Sequence, residues 1–300
     1  MAGRVSGLCC GCLALFVAWN AAIRAAPVAA IDATGKRIEL SAPARRIVSL
    51  APHATELLFA AGAGARIVGV LAPADAPPEA RRLPRVGDAT GLDLERIVAL
   101  KPDLAVVWPY LAPAQVERLR NLGVPVFVSD PRTPEAIPED LVRLGTLAGT
   151  QAVASSSAAV LRSRLATLAR RERGARTVSV FYEIWPDPLY TVGGRHLISA
   201  ALGLCGGRNV FADIDVPAPA VGVEDVLAVH PDAIVAGTDD AVRPAWLDDW
   251  RRWHALPAVA RGNLFVVDAN LLHRAGPRFI DGVAQLCAVL DRVRAAGAGR

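Results

Sequence analysis

Residues 95–107 read ERIVALKPDLAVV, and residues 224–236 read EDVLAVHPDAIVA. Each stretch starts with Glu, continues as a short apolar segment, turns at Pro-Asp and ends in a run of mainly aliphatic residues. Such a run is typical of a strand that is buried on both faces, as in parallel sheets covered by helices. The chain thus contains two copies of one helix–turn–strand unit, which predicts two similar α/β lobes.

Short aliphatic strands alternate with helices around both copies of the repeat. We predict strands over residues 46–50, 67–71, 104–108 and 124–128, and again over 177–182, 233–236 and 264–267. We predict helices over residues 54–61, 94–100, 113–122, 196–204, 223–229 and 279–295. This alternation favours parallel sheets with helices on their faces.

The stretch from Pro138 to about residue 173 interrupts the alternation, because it has no strand and is rich in Ala, Leu and Arg. It predicts one long helix, kinked or broken near Gly149. We therefore expect an N-terminal lobe over residues 31–136, a connecting helix over 137–173 and a C-terminal lobe over 174–300. A ligand cleft would lie between the lobes, and a single helical connection would make them a semi-rigid pair.

The first thirty residues predict a cleavable signal peptide. Arg4 provides the positive start, residues 8–22 are apolar and uncharged, and Ala25 and Ala30 are candidate cleavage points. The apolar stretch is short for a transmembrane helix, although an uncleaved anchor is the alternative interpretation. The three leader cysteines precede this stretch or lie within it, which argues against a lipid-modified cysteine. We expect a mature protein in the periplasm.

Two cysteines, Cys205 and Cys287, remain after the leader. An even pair in an oxidising compartment predicts one disulfide. Two buried free thiols are the alternative.

No catalytic motif stands out in the mature sequence. It lacks G-x-S-x-G, a phosphate-binding glycine loop, His-Glu-x-x-His and any motif of two closely spaced cysteines. His53 and Glu56 are three residues apart at a helix start, where a capping turn is a better interpretation than a metal site. We expect no catalytic residue, no bound metal and no cofactor. The net charge of +4 is spread without a basic, aromatic-rich patch, so nucleic acid is not an expected partner.

Aromatic side chains mark the expected cleft. Trp108 and Tyr110 follow a strand, at the sheet edge where α/β proteins bind ligands, and Tyr182, Trp185 and Tyr190 crowd a loop of the second half. They predict a large, flat, partly apolar ligand between the lobes, with simple packing as the alternative, above all for Tyr182. Three tryptophans at helical spacing predict a packing face instead: Trp246, Trp250 and Trp253.

Three phrases resemble the iron-siderophore, haem and cobalamin class of periplasmic binding proteins: residues 46–58 (RIVSLAPHATELL), 94–104 (LERIVALKPDL) and 273–278 (HRAGPR). The resemblance extends over roughly residues 46–293 and is strongest to the cobalamin-binding branch. It implies two Rossmann-like lobes joined by one long helix, in agreement with the repeat. It also implies a monomer that captures cobalamin or a related corrinoid and delivers it to an ABC permease dimer with its ATPase subunits.

The resemblance also implies roles for paired residues of the two halves. Glu95 and Glu224, at matching places in the repeat, would each dock onto arginines of the permease. The alternative is that each glutamate merely favours a helix N-terminus, an effect worth about 0.3–1 kcal/mol. Cys205 and Cys287 are similar in position to a disulfide of the cobalamin-binding relatives.

For the ligand, the candidate residues are Pro52, Trp108, Tyr182, Trp185, Tyr190, His273 and Arg274. The sequence departs from the branch where relatives carry aromatics, since it has Ala76, Ala89 and Ala218. We expect Trp185 to compensate.

Haem or an iron-siderophore is the alternative ligand within the class. Haem would need an axial ligand such as Tyr110, Tyr182 or His273, and an anionic siderophore would need arginines, of which Arg274 and Arg195 are candidates. Outside the class, a metal-handling enzyme such as a chelatase has the same architecture, but the leader argues against it. An extracellular sensor domain would use the cleft without a permease.

Overall fold

The computed structural model describes residue 3 and residues 26–88, 90–172, 174–239 and 242–298. It confirms the predicted α/β class with two lobes, each built on a mainly parallel sheet. Among the described residues, no helix combines the length and apolarity needed to cross a membrane.

The N-terminal lobe is a four-stranded parallel sheet covered by helices. Its elements are β1 (Val28–Ile31), β2 (Arg37–Leu40), β3 (Ile47–Ser49), α1 (Pro52–Ala60), β4 (Ile67–Val70), β5 (Gly87–Asp88), β6 (Gly91–Leu92), α2 (Leu94–Ala99), β7 (Leu104–Val107), α3 (Pro113–Asn121), β8 (Val126–Val128) and α4 (Ala136–Leu147). The parallel sheet has the order β4-β3-β7-β8. All four of its strands were predicted, because each is a short aliphatic run, whereas the two antiparallel pairs β1–β2 and β5–β6 were missed.

The predicted long helix after β8 is two helices. Helix α4 ends before Gly149, which has a φ of +63°, and helix α5 (Gln151–Arg171) follows. A positive φ is unfavourable for residues with a side chain, and glycine commonly ends a helix in this conformation. Helix α4 packs on α1 and β1 within the first lobe, so α5 alone connects the lobes.

The C-terminal lobe repeats the plan of the first. Its elements are β9 (Val178–Pro186), β10 (Leu189–Thr191), α6 (Leu197–Leu204), β11 (Gly207–Asn209), α7 (Val223–Val229), β12 (Ala233–Thr238), α8 (Ala245–Asp248), α9 (Pro257–Ala260), β13 (Leu264–Asp268), α10 (Ala269–Leu272) and α11 (Phe279–Ala298). Strands β11, β9, β12 and β13 are parallel neighbours, and β10 pairs antiparallel with the end of β9. Helix α5 contacts α1 of the first lobe and α11 of the second.

The two copies of the sequence repeat adopt one conformation. In each copy a residue with a φ of +45°, Lys101 or His230, lies between the helix, α2 or α7, and the Pro-Asp turn. Asp103 accepts hydrogen bonds from the backbone nitrogens of Arg45 and Arg46 (2.7 and 2.9 Å), just before β3. Asp232 likewise accepts from the backbone nitrogen of Ser179 in β9 (3.1 Å). The aspartate shared by the two Pro-Asp turns therefore anchors, in each copy, the neighbouring strand of its own sheet.

The predicted disulfide between Cys205 and Cys287 is confirmed. It joins the end of α6 to the middle of α11, and both residues are buried in the larger hydrophobic core. The alternative of two free thiols is therefore wrong.

The predicted leader overlaps the fold at its end. Strand β1 starts at Val28 and pairs with β2 through Ile31, so a boundary at residue 30 would cut it. Most of the leader, residues 1–2 and 4–25, lies outside the described residues. Of the two candidate cleavage points, Ala25 leaves β1 intact and Ala30 does not.

Candidate functional site: the cleft between the lobes

A cavity of about 360 Å³ lies between the two lobes. From the first lobe it is lined by His53, Trp108, Tyr110, Ser129, Asp130 and Arg132, and from the second by Arg195, His196, Asp215, Pro217, Leu272 and His273. A second cavity of about 320 Å³ shares His53, Trp108 and His273 with it and adds Pro52 and Arg274. The two cavities form one cleft beyond the carboxyl ends of the strands, where α/β sheets bind ligands.

Trp108 lies at the centre of the cleft, because it lines both cavities directly after β7. Its ring meets Tyr110 edge to face, with 5.3 Å between ring centroids, and lies 6.2 Å from His53. Tyr110 is 68% exposed, so most of its ring is open to a ligand. The first lobe therefore offers an aromatic wall.

His53 lies buried beneath this wall and is held by a chain of hydrogen bonds. Its Nε2 is 3.1 Å from the hydroxyl of Ser129, which donates to the Asp140 carboxylate at 2.6 Å. Because the serine proton goes to Asp140, Nε2 of His53 must donate. Burial lowers the pKa of His53 to about 4, so its ring is neutral at pH 7.

On the opposite wall, His273 is supported by Tyr182. The Tyr182 hydroxyl is 3.1 Å from His273 Nε2 and is fully buried, and burial raises the pKa of Tyr182 so that the phenol stays protonated. Burial also lowers the pKa of His273. Tyr182 thus lies behind the cleft wall, which corrects its prediction as a direct ligand contact. Gly237 makes room for this pair, since a Cβ there would lie 2.3 Å from the Tyr182 hydroxyl.

His196 lines the cleft although sequence reasoning did not select it. Its Nδ1 caps helix α6 by accepting from the backbone nitrogen of Ile198 at 3.1 Å, which leaves the proton on Nε2. Burial, and then the nearby His273, lower the pKa of His196 to about 4. The ring is therefore a neutral hydrogen-bond donor. Its place as the first residue of the predicted helix was the signal that could have revealed the cap.

We expect the buried histidines to destabilise the fold in acid. Unfolded histidines bind protons near pH 6.5, whereas folded His53 and His196 stay neutral to about pH 4. Their contribution to stability is present above pH 6.5 and is lost as the pH falls towards 4, by about 2 kcal/mol for each histidine at pH 5. Urea unfolding at pH 7.5 and 5.0 measures this loss.

The matched variants separate the histidines from other titrating groups. His53→Gln should reduce the difference in the free energy of unfolding between pH 7.5 and pH 5.0 by about 2 kcal/mol. His254→Gln, at an exposed position, should leave this difference in unfolding free energy as it is in the native protein. Equal pH dependence in both variants would contradict a neutral, buried His53.

Two ion pairs cross from one lobe to the other beside the cleft. Arg278 binds the buried Glu56 of α1 through Nε and Nη2 (3.0 and 2.7 Å). Arg274 binds Asp75 through Nη1 and, at 3.3 Å, through Nη2. The hydrogen bond from Arg274 lowers the pKa of Asp75, and the bond to Glu56 raises the pKa of Arg278. These pairs hold the lobes at a defined spacing and place the Arg274 side chain at the cleft edge.

The pair of His53 and Glu56 does not form a common site. His53 turns to Ser129, and Glu56 turns to Arg278 of the other lobe. Among the described residues, no group of three or more His, Cys, Asp or Glu side chains is arranged to hold a metal ion.

Trp185 and Tyr190 lie outside the cleft lining. They face each other across the β9–β10 hairpin and are exposed, and Trp185 Nε1 donates to the carbonyl of Asp187 at 3.0 Å. Of the alanines that replace expected aromatics, Ala89 lies outside the described residues. Ligand contact by Trp185 and Tyr190 stays a prediction.

Residues 47–271 match the family model described as periplasmic binding protein. The chain belongs to this family. It is 38% identical over 248 residues to a vitamin B12-binding protein of Photorhabdus laumondii, which covers 82% of this chain and 88% of the relative. The crystal structure of the periplasmic vitamin B12-binding protein BtuF of Vibrio cholerae superposes with a TM-score of 0.77 at 35% identity, covering 84% of this chain and 98% of that one.

A solved structure named for haem binding has the same fold. The periplasmic haem-binding protein of Pseudomonas aeruginosa is 28% identical, with a TM-score of 0.69 and coverage of 82% of this chain and 92% of that chain. The fold is therefore shared by proteins that are named for different macrocyclic ligands.

On the outside of this periplasmic binding protein, Glu95 and Glu224 are exposed at matching positions of α2 and α7. The ends of both helices are capped by other residues. Asp93 accepts from the backbone nitrogen of Arg96 at 2.9 Å, and Asp225 accepts from that of Gly222 at 2.8 Å. Neither glutamate carboxylate has a hydrogen-bond or ion-pair partner among the described residues, so both are available to another molecule.

Proposed function

We propose that this chain captures cobalamin or a related corrinoid in the periplasm and delivers it to an ABC importer. The observation that carries the proposal is the cleft between the lobes, with its aromatic wall, in a chain that is 38% identical to a protein named for vitamin B12. In this proposal the corrinoid is transported cargo rather than a cofactor, and the protein is a carrier rather than an enzyme.

The chemistry of the cleft supports a ligand with a flat apolar ring and a neutral polar rim. Trp108 and Tyr110 offer aromatic faces, and His196 offers a neutral donor. The charged side chains of the rim are paired within each lobe, Arg132 with Asp130 at 2.7 Å and Arg195 with Asp215 at 3.5 Å. Paired charges attract a highly charged ligand weakly, which favours a corrinoid over an anionic siderophore.

Haem is the second candidate because of Tyr110. This side chain is exposed in the cleft, and its hydroxyl has no hydrogen-bond partner among the described residues. A phenolate oxygen can serve as an axial ligand to haem iron. The histidines are less suited, since Nε2 of His53 and of His273 is engaged and that of His196 carries a proton.

Calorimetric titration of the purified mature protein with cyanocobalamin and with haemin distinguishes the two ligands. We expect saturable 1:1 binding of cyanocobalamin and none of haemin. Tight binding of haemin, with a Soret band that changes in Tyr110→Phe, and no heat with cyanocobalamin would overturn the corrinoid proposal and retain the carrier. Binding of neither would reject both ligands.

We also propose that the leader directs export and is removed after Ala25, since that position preserves β1. The expected result is a periplasmic protein whose intact mass corresponds to a start at residue 26. A mass that includes the leader would show that it is retained as an anchor.

Delivery is proposed to use Glu95 and Glu224. The double variant Glu95→Lys/Glu224→Lys should abolish corrinoid uptake in cells, because it places positive charges against arginines of the permease. Its affinity for cyanocobalamin should change less than twofold, since neither residue lines the cleft.

The control for this variant is Glu139→Lys, at an exposed position of α4. It should support normal uptake. Normal uptake by the double variant would remove the docking role of Glu95 and Glu224.

A further inference from the structure

A separate cavity of about 220 Å³ opens in the C-terminal lobe and shares no residue with the cleft. Three tryptophans and two acids line it: Trp246, Trp250, Trp253, Glu183 and Asp249. The sequence had predicted these tryptophans as a packing face. The structure confirms packing for Trp250, which is buried edge to face on Phe181, and for the partly buried Trp246, which packs against the same core. Trp253 is more exposed, and all three indoles line the cavity.

The cavity lies across the sheet from the cleft. Tyr182 and Glu183 are successive residues of β9, and successive side chains of a strand point to opposite faces. The Tyr182 hydroxyl supports His273 in the cleft, whereas Glu183 points towards Trp250. Occupation of this cavity therefore does not require the cleft.

Glu183 is the unusual group in this cavity. It is 2% exposed, and its Oε2 accepts from Trp250 Nε1 at 2.8 Å. No cationic side chain among the described residues pairs with it, and its other oxygen has no described hydrogen-bond partner. Burial raises the pKa of Glu183 to about 7. Burying a carboxylate without a cation is costly, so an incoming positive charge would be strongly favoured here.

The indoles complete the chemistry. Indole rings attract cations through their quadrupole, and sites lined by several aromatic rings recognise alkylated ammonium groups. Arg252 at the rim donates to the backbone carbonyl of Asp249 at 2.9 Å and does not reach Glu183. Nη2 of Arg252 also lies 4.0 Å from a carboxylate oxygen of Asp249, so these two charges balance and Glu183, when ionised, supplies the excess negative charge of the cavity.

We propose that Glu183, Trp246, Trp250 and Trp253 form a second binding site for a small organic cation of the alkylammonium class. A neutral apolar ligand would leave Glu183 unpaired, and an anion would be repelled by it. The cavity volume suits a ligand of a few carbon atoms rather than a corrinoid.

The test follows the indole N–H resonances of ¹⁵N-tryptophan-labelled mature protein during titration with choline at constant ionic strength. The Trp250 resonance should shift and saturate. The neutral isostere 3,3-dimethyl-1-butanol, in which carbon replaces the charged nitrogen, should bind at least tenfold more weakly. Equal binding of the two compounds, or no saturable shift with choline, would overturn the proposal.

Variants locate the site and test the role of the carboxylate. Glu183→Gln can still accept from Trp250 and should weaken choline binding at least tenfold, while Trp253→Ala, at a position that is 38% exposed, should weaken it at least fivefold without affecting folding. Trp108→Ala, in the cleft, should leave choline affinity unchanged. A weakening in Trp108→Ala with no effect of the other two would assign choline to the cleft.

The pH dependence gives a further readout. Choline affinity should rise from pH 6 to pH 8 as Glu183 ionises, and the Gln variant should lose this rise. A rise that persists in Glu183→Gln would contradict the role of this carboxylate.

Discussion

Trp108→Ala is expected to weaken cyanocobalamin binding by roughly thirtyfold to several-hundredfold. Trp108 is one of three residues that line both cavities of the cleft, and it carries the aromatic wall together with Tyr110. A central aromatic residue of a binding site contributes about 2–4 kcal/mol, and about 1.4 kcal/mol corresponds to a factor of ten in affinity. Calorimetric titration of the variant measures the loss.

Two other tryptophan variants make this result specific. Trp253→Ala removes an indole from the separate cavity and should leave cyanocobalamin affinity within twofold of native. Trp185→Ala tests the sequence prediction that this residue compensates for missing aromatics; its place outside the cleft lining leads us to expect little change. If Trp108→Ala bound within threefold of the native protein, the ligand would not rest on this wall.

Removing the disulfide with Cys205→Ala/Cys287→Ala is expected to lower the free energy of unfolding by about 4 kcal/mol. The bridge joins residues 82 positions apart, and closing so long a loop restricts the unfolded chain strongly. Equilibrium unfolding in urea measures the change. The affinity for cyanocobalamin should persist, since neither cysteine lines the cleft.

The native protein treated with a reducing agent is the control for this variant. It should unfold at nearly the same urea concentration as the double variant, because both lack the same constraint. The local structure has other support, as Arg294 donates to the Cys205 carbonyl at 2.6 Å. A loss below 1 kcal/mol would show that contacts of this kind, rather than the bridge, hold α6 against α11.

The cross-lobe ion pairs limit how Arg274 can reach a ligand. Arg274–Asp75 and Arg278–Glu56 connect the lobes beside the cleft, in addition to helix α5. Sequence reasoning selected Arg274 as a ligand contact but not Asp75 or Glu56 as its surroundings. Because Asp75 binds Arg274, only the rest of the guanidinium is open to a ligand in the cleft.

Much of the fold was predictable because its signals are local. The aliphatic runs of β3, β7, β9 and β12, the Pro-Asp turns and the glycines after helices each reflect the preferences of a few neighbouring residues. The repeat predicted the two-lobe architecture, since each copy of the helix–turn–strand unit needs a sheet of its own to pack into. The pair β1–β2 was missed because β1 overlaps the predicted leader and β2 contains two charged residues, and β5–β6 was missed because strands of two residues carry no periodicity.

The site was predictable in its aromatic centre and less so around it. Trp108 follows a buried strand, so its place at the sheet edge could be inferred. Tyr182 was predicted as a ligand contact with packing as the alternative, and it is fully buried against His273 because β9 continues to Pro186 and keeps this residue inside the sheet. His196 and Asp75 were missed, since their partners are a helix end and a side chain 199 residues away.

Local sequence therefore specified most of the strands and helices and the repeat, with a glutamate at the same place in each copy. The pairing of Asp75 with Arg274, the neutral state of His53 and the burial of the Glu183 carboxylate against Trp250 arise only when distant segments pack together. The physical reason is that secondary structure depends on neighbours along the chain, whereas burial, charge pairing and the pKa of a group depend on neighbours in space.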